Sequence, residues 1–400
     1  MAKRAAQNAL QMKLMNRLRV LRLIRRGTAS RSELATETGL TRAAMSLIVA
    51  DLVREGLLIE TGLRRSMAGR KPVLLELRPG YAYSMGLTIS RSGAEAGLLD
   101  LSGRLLYRAP IELSASSQSD AVHQIRQALR SLRSAGRTPP GRLLGLGIST
   151  PGPVDAPAGI ILNPPNFDLW HDVRLCDKLK GLAEGRAFLE NNSQALTMAE
   201  KAYGKGRECN SFVLLVVESG IGAGIMRGEE RHSGWRGFGN EVGHTSINHE
   251  GPRCGCGLHG CVEVYASVPA VLARARKHHP RLQSWPEFVD LAHTGDAACR
   301  GLVNDQARAL STALVNVLNI FELEAVILTG DILYRGEMLR ASVEREINQT
   351  AINRRLHHIP VHLSTLGEHS ALRAAAGIAT EKFFQGELEP DGTSLFGGRA

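Results

Sequence analysis

Gly239-Asn240-Glu241-Val242-Gly243-His244, followed after nine residues by Cys254-Gly255-Cys256-Gly257-Leu258-His259-Gly260-Cys261-Val262-Glu263, is the stretch on which the reading of this chain turns. One histidine and three cysteines at this density supply four ligands compatible with a tetrahedral ion, and structural zinc suits that donor set. With His244, Cys254, Cys256 and Cys261 all spent on the ion, no position stays open. Such a zinc organises a loop and does not activate water. The plainer reading is three reduced thiols in a glycine-rich loop. His232, His249 and His259 read as surface histidines, and Cys176, Cys209 and Cys299 as packing residues. Six cysteines in 400 residues, three of them within eight positions, do not make a secreted disulfide scaffold.

Upstream, the chain has the texture of alternating strands and helices. Met85–Ile89 and Ala96–Asp100 read as a hairpin, and Leu143–Ser149, Ala187–Glu190, Phe212–Val217 and Ala325–Leu328 as further strands. Helical patterns lie near 119–135, 194–204, 268–279, 300–321 and 370–385, which predicts α/β layers. Three more motifs sit at strand ends. Gly147-Ile148-Ser149-Thr150-Pro151-Gly152-Pro153-Val154-Asp155 runs from a strand into a tight turn, and Glu190-Asn191-Asn192-Ser193 marks a strand-to-helix junction. In Ser219-Gly220-Ile221-Gly222-Ala223-Gly224 the glycines either let backbone amides approach a ligand or form a plain hairpin turn.

The front end has a different character. Residues 1–80 hold 16 Lys/Arg against 6 Asp/Glu, whereas the remainder holds 33 of each, so the whole net charge of +10 is concentrated there. That excess attracts a polyanion by counterion release. Leu14, Leu18, Leu21 and Ile24 recur at helical spacing before Gly27. Ser30 and Glu33 form an S-x-x-E capping signature, Gly39 stops a short helix, and Thr41 caps a third carrying Met45, Ile48, Val49 and Leu52. This predicts a helix-turn-helix, with Ser30, Arg31, Thr41, Arg42, Ala44 and Ser46 as candidate DNA contacts. Leu57–Glu60 and Val73–Leu77 read as strands of a wing, whose tip offers Arg64, Arg65, Arg70 and Lys71 to phosphates or a minor groove. A three-helix packing module is the alternative reading.

The four motifs in this order, behind that winged helix, resemble the ROK family (repressors, open reading frames and kinases) from about residue 13 to about residue 385. Its xylose-, glucose- and N-acetylglucosamine-responsive repressors are the most similar sub-group. The resemblance implies an α/β chain: a winged helix-turn-helix over residues 1–80, then a two-lobed actin-like or hexokinase-like effector-binding domain over 81–400. The family's zinc ligands fall on His244, Cys254, Cys256 and Cys261. Its sugar contacts fall on Asn191, Glu241, His244 and Glu263, and Asn192 joins that set. Active kinases of the family place a catalytic aspartate where this chain has Asn192, whose amide cannot take a proton at neutral pH. The first phosphate loop, an aspartate and paired glycines in the family, reads Gly86-Leu87-Thr88-Ile89-Ser90-Arg91, and the nucleotide-side glycine pair reads Gly330-Asp331. Three departures in the phosphoryl-transfer apparatus imply a sugar pocket without kinase activity.

The expected protein is therefore a sugar-responsive repressor of sugar uptake or catabolism genes, released from operator DNA by a sugar or sugar phosphate and working as a homodimer or tetramer. Its chief rival is an active sugar kinase with an appended DNA-binding domain. Two others are a zinc sensor and a repressor addressed by a protein partner. Such a partner would dock on an exposed helix over 370–385 bearing Ala371, Leu372, Ala375, Ile378 and Phe383, unless that helix packs in the core. No run of 18 apolar residues and no apolar signal core are present, so a cytoplasmic protein without membrane insertion is expected.

Overall fold

The computed structural model describes residues 2–27, 29–63, 73–91, 93–113, 117–136, 142–165, 167–235, 237–352 and 356–388. At the front lie α1 (Ala2–Arg25), β1 (Ala29–Ser30), α2 (Arg31–Thr38), α3 (Arg42–Arg54), β2 (Leu58–Leu63) and β3 (Val73–Leu77). The capping box forms as expected: the Glu33 amide donates to Ser30 Oγ at 3.3 Å, and the Ser30 amide to Glu33 Oε2 at 2.8 Å. Gly39 ends α2 at φ 72°, a left-handed conformation that costs glycine nothing, and Thr41 Oγ1 accepts from the Ala44 amide at 3.2 Å to start α3. Strands β2 and β3 pair antiparallel, with Leu58 opposite Leu77, and β1 adds to the other edge of β3. Two residues are too few for β1 to announce itself by periodicity. The wing-tip residues Arg64, Arg65, Arg70 and Lys71 lie outside the described residues.

Next come β4 (Tyr83–Ser90), β5 (Gly93–Asp100), β6 (Leu105–Ile111), α4 (Gln118–Ala135) and β7 (Leu143–Thr150). Short strands β8 (Val154–Asp155), β9 (Ile160–Ile161) and β10 (Val173–Arg174) form a small sheet, and α5 (Leu175–Leu179) leads to β11 (Ala187–Asn191). The main sheet runs β11-β7-β4-β5-β6, parallel across β11, β7 and β4. Ala121, Val122, Ile125, Leu129 and Leu132 make a helical stripe along α4 that is buried in this unit's core.

The remaining sequence, 192–368, is a second compact unit. It holds α6 (Asn192–Tyr203), β12 (Ser211–Val217), β13 (Ile221–Arg227), β14 (Glu230–His232), α7 (Val262–Ala266), α8 (Val268–Ala275) and α9 (Trp285–Thr294). It continues through α10 (Ala297–Phe321), β15 (Ala325–Gly330), α11 (Glu337–Thr350) and β16 (Val361–Leu363). The sheet order is β14-β13-β12-β15-β16.

The last helix, α12 (Ser370–Phe384), returns to the first unit, which comprises residues 1–191 and 369–400. Two glycines let it lie flat on the sheet. A Cβ at Gly147 would sit 1.8 Å from the Ala375 carbonyl oxygen, and one at Gly86 would sit 2.8 Å from the Ala376 nitrogen. Gly147→Ala is therefore expected to cost about 3 kcal/mol or more by forcing backbone apart. An unchanged denaturation midpoint would contradict this packing.

The other end of α12 joins the winged helix. Ala379, Phe383 and Phe384 share one buried cluster with Val20, Leu21, Leu34, Met45, Val49 and Leu52. Arg25 pairs with Glu381 at 2.7 Å and lies 4.5 Å from the centre of the Phe384 ring, and Arg22 Nε donates to the Phe384 carbonyl at 3.0 Å. Of the two readings of 370–385, the core-packed helix is the one that forms, and the exposed docking helix is not. Leu372, Ala375, Ile378 and Phe383 are buried, and of the residues proposed for docking only Ala371 is exposed. No helix among the described residues is long and apolar enough to cross a membrane.

Candidate functional site

The glycine run 219–224 is a hairpin. Strands β12 and β13 pair antiparallel up to Val217 opposite Ile221, and the Glu218 amide donates to the Gly220 carbonyl at 2.9 Å. Its glycines make room for side chains of the same unit. A Cβ at Gly224 would lie 2.0 Å from Thr197 Oγ1, and one at Gly222 would lie 3.0 Å from Ser193 Cβ, so these two glycines let α6 press onto β13. At the turn, the Ile221 amide donates to Glu263 Oε2 at 2.8 Å and fixes that carboxylate.

The stretch 239–244 is built against the same hairpin. Asn240 takes φ 70°, tolerated by asparagine, and its Nδ2 donates to the His232 carbonyl at 2.6 Å. A Cβ at Gly243 would lie 2.1 Å from the Ile221 carbonyl oxygen, so only glycine lets the turn lean on β13. The His244 amide donates to the Glu241 carbonyl at 3.0 Å, placing both side chains on one short turn. Glu241 is exposed by surface area, yet desolvation by the surrounding protein still raises its carboxyl pKa, with His244 opposing this and Glu263 adding to it.

The cysteine loop folds back on that turn. The Cys254 amide donates to the Leu258 carbonyl and the Gly260 amide to the Pro252 carbonyl, both at 2.8 Å, and the Val262 amide reaches the Thr245 carbonyl at 3.0 Å. Gly260, at φ 65°, passes so close to Asn248 that a Cβ would meet its carbonyl oxygen at 1.7 Å. As a result the ligand atoms of His244, Cys254, Cys256 and Cys261 all lie within 4.8 Å of one another. Cys254 Sγ is 3.6 Å from His244 Nδ1, and Cys256 Sγ is 3.6 Å from Cys261 Sγ. A tetrahedral ion with bonds of about 2.3 Å to sulfur and about 2.0 Å to nitrogen requires separations of about 3.5–3.8 Å. The cluster fits a metal ion. Burial pushes the Cys261 thiol up to about 12, so a thiolate there needs a neighbouring positive charge. The trio His279, Asp296 and Cys299 is a helix cap: Asp296 accepts from the Cys299 amide at 2.8 Å and from His279 at 3.1 Å.

Glu241, His244 and Glu263 thus come together on one hairpin and one loop, in the unit that also contains Asn192. Asn192 Oδ1 accepts from the adjacent Ser193 amide at 2.9 Å at the first turn of α6. In the first unit, Asn191 ends β11 opposite Thr150. A Cβ at Gly152 would lie 2.4 Å from Asn191 Nδ2, so the glycine of the 147–155 turn makes space for that amide.

On the winged helix, the structure corrects one candidate contact. Ser30 is only 2% exposed and its hydroxyl is committed to the capping box, so it cannot face a duplex without uncapping α2. Arg31 is paired with Glu60 at 2.7 Å. Thr41, Arg42 and Ser46 are exposed, and Ala44 is half-buried. One residue on this face was missed: Leu47 is 69% exposed. Its signal was available, because Leu47 falls off the stripe of Met45, Ile48, Val49 and Leu52 that turns inward.

Comparison with known proteins places this architecture. The xylose repressor of Bacillus spizizenii is 27% identical over 371 residues, covering 93% of this chain and 96% of that protein. The glucokinase of Thermotoga maritima is 29% identical over 313 residues, covering 74% of this chain and 97% of that enzyme. A crystal structure of a ROK family transcriptional regulator, homologous to the E. coli MLC protein, superposes with a TM-score of 0.77 at 24% identity, covering 93% of this chain and 97% of that one. The ROK family model matches residues 84–382, and the chain belongs to the ROK family.

Proposed function

We propose that the chain is a sugar-responsive, DNA-binding transcriptional regulator, a repressor of sugar uptake or catabolism genes that a sugar or sugar phosphate releases from its operator. The observation that carries this reading is the module ahead of the family match. Helices α1, α2 and α3 with the paired strands β2 and β3 have the arrangement of a winged helix, in a segment whose sequence holds the excess of basic residues, and the match begins only at residue 84. The glucokinase relative covers 74% of the chain and the xylose repressor 93%, a difference close to the length of that module. The domain assignment follows: residues 1–80 read DNA and residues 81–400 bind the effector. A protein acting on operators works in the cytoplasm, and a palindromic operator calls for a dimer or a pair of dimers.

In the effector-binding body, His244, Cys254, Cys256 and Cys261 would hold a structural zinc ion, which supplies a fixed anchor for the loop. With Nδ1 turned to the thiols, the other nitrogen of His244 stays available to a hydroxyl. Glu241, Glu263, Asn191 and Asn192 provide the paired donors and acceptors that sugar hydroxyls require. Kinase activity is lost, because the Asn192 amide cannot accept a proton and its carbonyl oxygen is already engaged by the Ser193 amide.

Operator affinity falls only if the effector binds the DNA-competent and DNA-released forms unequally. The α12 helix, shared between the sheet and the winged-helix core of one unit, supports such coupling. Binding to DNA at stepped salt concentrations tests the front end. Replacing both Arg70 and Lys71 with alanine should weaken binding to all sequences and reduce the slope of log K against log salt by about two. An unchanged slope removes the wing tip from the interface.

A further inference from the structure

The outward face of α3 is unusual for a surface helix. Ala43, Ser46, Leu47 and Ala50 are all exposed, and between Arg42 and Ala50 there is no carboxylate. The acids that follow are already neutralised within the module: Asp51 pairs with Lys13 at 3.5 Å and with Arg54, and Glu55 pairs with Arg17. Leu47 protrudes from this face, 69% exposed, with Ala43 four residues before it and Ala50 three after it on the same stripe. Two methyl-sized neighbours leave the leucine standing above its own stripe, able to enter a groove.

The surrounding charge names the occupant. Residues 1–80 carry the entire excess of 16 basic over 6 acidic groups, which suits a polyanion. Within a DNA major groove, Ala43, Leu47 and Ala50 offer nothing that pairs with base donors or acceptors. The one apolar group on any base edge there is the thymine 5-methyl. We propose that Leu47 reads thymine methyl groups in the major groove and is a specificity-determining residue of this regulator. The proposal rests on the DNA-binding reading given above and adds the chemistry of the base contact, with Arg42 and Ser46 left as the polar readers at its side.

The test uses the full chain. Preferred duplexes are selected from a random-sequence pool, and each thymine of the winning site is replaced in turn by deoxyuridine, which keeps base pairing and removes only the methyl. Anisotropy titrations compare the natural protein with Leu47→Ala and Leu47→Met. At one or two positions, loss of the methyl should weaken the natural protein about fourfold per methyl. The same replacement should leave Leu47→Ala unaffected, while Leu47→Met retains most of the sensitivity. Equal deoxyuridine penalties in the natural protein and Leu47→Ala would overturn the proposal. So would selection of identical sites by Leu47→Ala at unchanged affinity, including the case where its sedimentation shifts because the face covers a second copy. A pool that yields no preferred site, with no salt-dependent binding to any duplex, would reject the regulator reading itself and is told apart by that absence.

Discussion

His244→Ala should lose its metal and its response to sugar in one step. On the proposed reading these are a single property, since Nδ1 lies 3.6 Å from Cys254 Sγ and the histidine ends the short turn that Glu241 begins. Metal content should fall from about one ion per chain to well below half, and sugar affinity by about 100-fold. Cys261→Ser should behave alike, because Cys261 is fully buried beneath the loop. Glu263→Gln separates the two effects. Its carboxylate is held by the Ile221 amide and lies outside the four-ligand cluster, so this variant should keep the metal and lose the sugar. Metal analysis with calorimetric sugar titration reads both quantities. A His244→Ala protein with full metal and ordinary sugar affinity would break the link.

Phe384→Ala should destabilise the winged-helix module although the residue lies more than 300 residues away in sequence. The ring is fully buried in the cluster that includes Leu34, Met45 and Leu52, and Arg25 packs on its face. Truncation should cost about 3–5 kcal/mol. The loss should appear as reduced hydrogen-exchange protection in α1 and α3 together with weaker DNA binding, and Phe384→Leu should restore most of both. Unaltered protection of α1 and α3 would show that the module is stabilised without α12.

How much of this was written in the sequence depends on whether each signal is local. The caps at Ser30 and Thr41, the stop at Gly39 and the inward stripe of α3 are decided within a few residues, and they form as expected. Strands β4, β5, β7, β11, β12 and β15 follow from apolar runs and the metal cluster from ligand density, whereas β6, β13, β14 and β16 gave no such run and were not read. Two helices were overlooked although their signals were present. Ser284 and Glu287 make an N-terminal cap for α9, and Leu339, Val343 and Ile347 recur every four residues along α11. The glycines at 222 and 224 were harder, because they answer to side chains of α6 more than 20 positions earlier. The same holds for α12, whose partners lie at both Gly86 and Leu34, and for Ser30, where one motif served a cap and left nothing for DNA. Long-range packing chose between readings that local pattern left equal.

The central claim is that this chain recognises a carbohydrate without altering it and reports the event to DNA. The most direct measurement follows operator affinity by anisotropy while monosaccharides and their 6-phosphates are titrated in the presence of ATP and magnesium, and then analyses the recovered sugar by mass. The account predicts that one such sugar lowers DNA affinity at least about tenfold, the 1.4 kcal/mol expected of a working coupling, and is recovered unphosphorylated. Phosphorylated product accumulating at enzyme-like rates, or DNA affinity indifferent to every sugar, would contradict it.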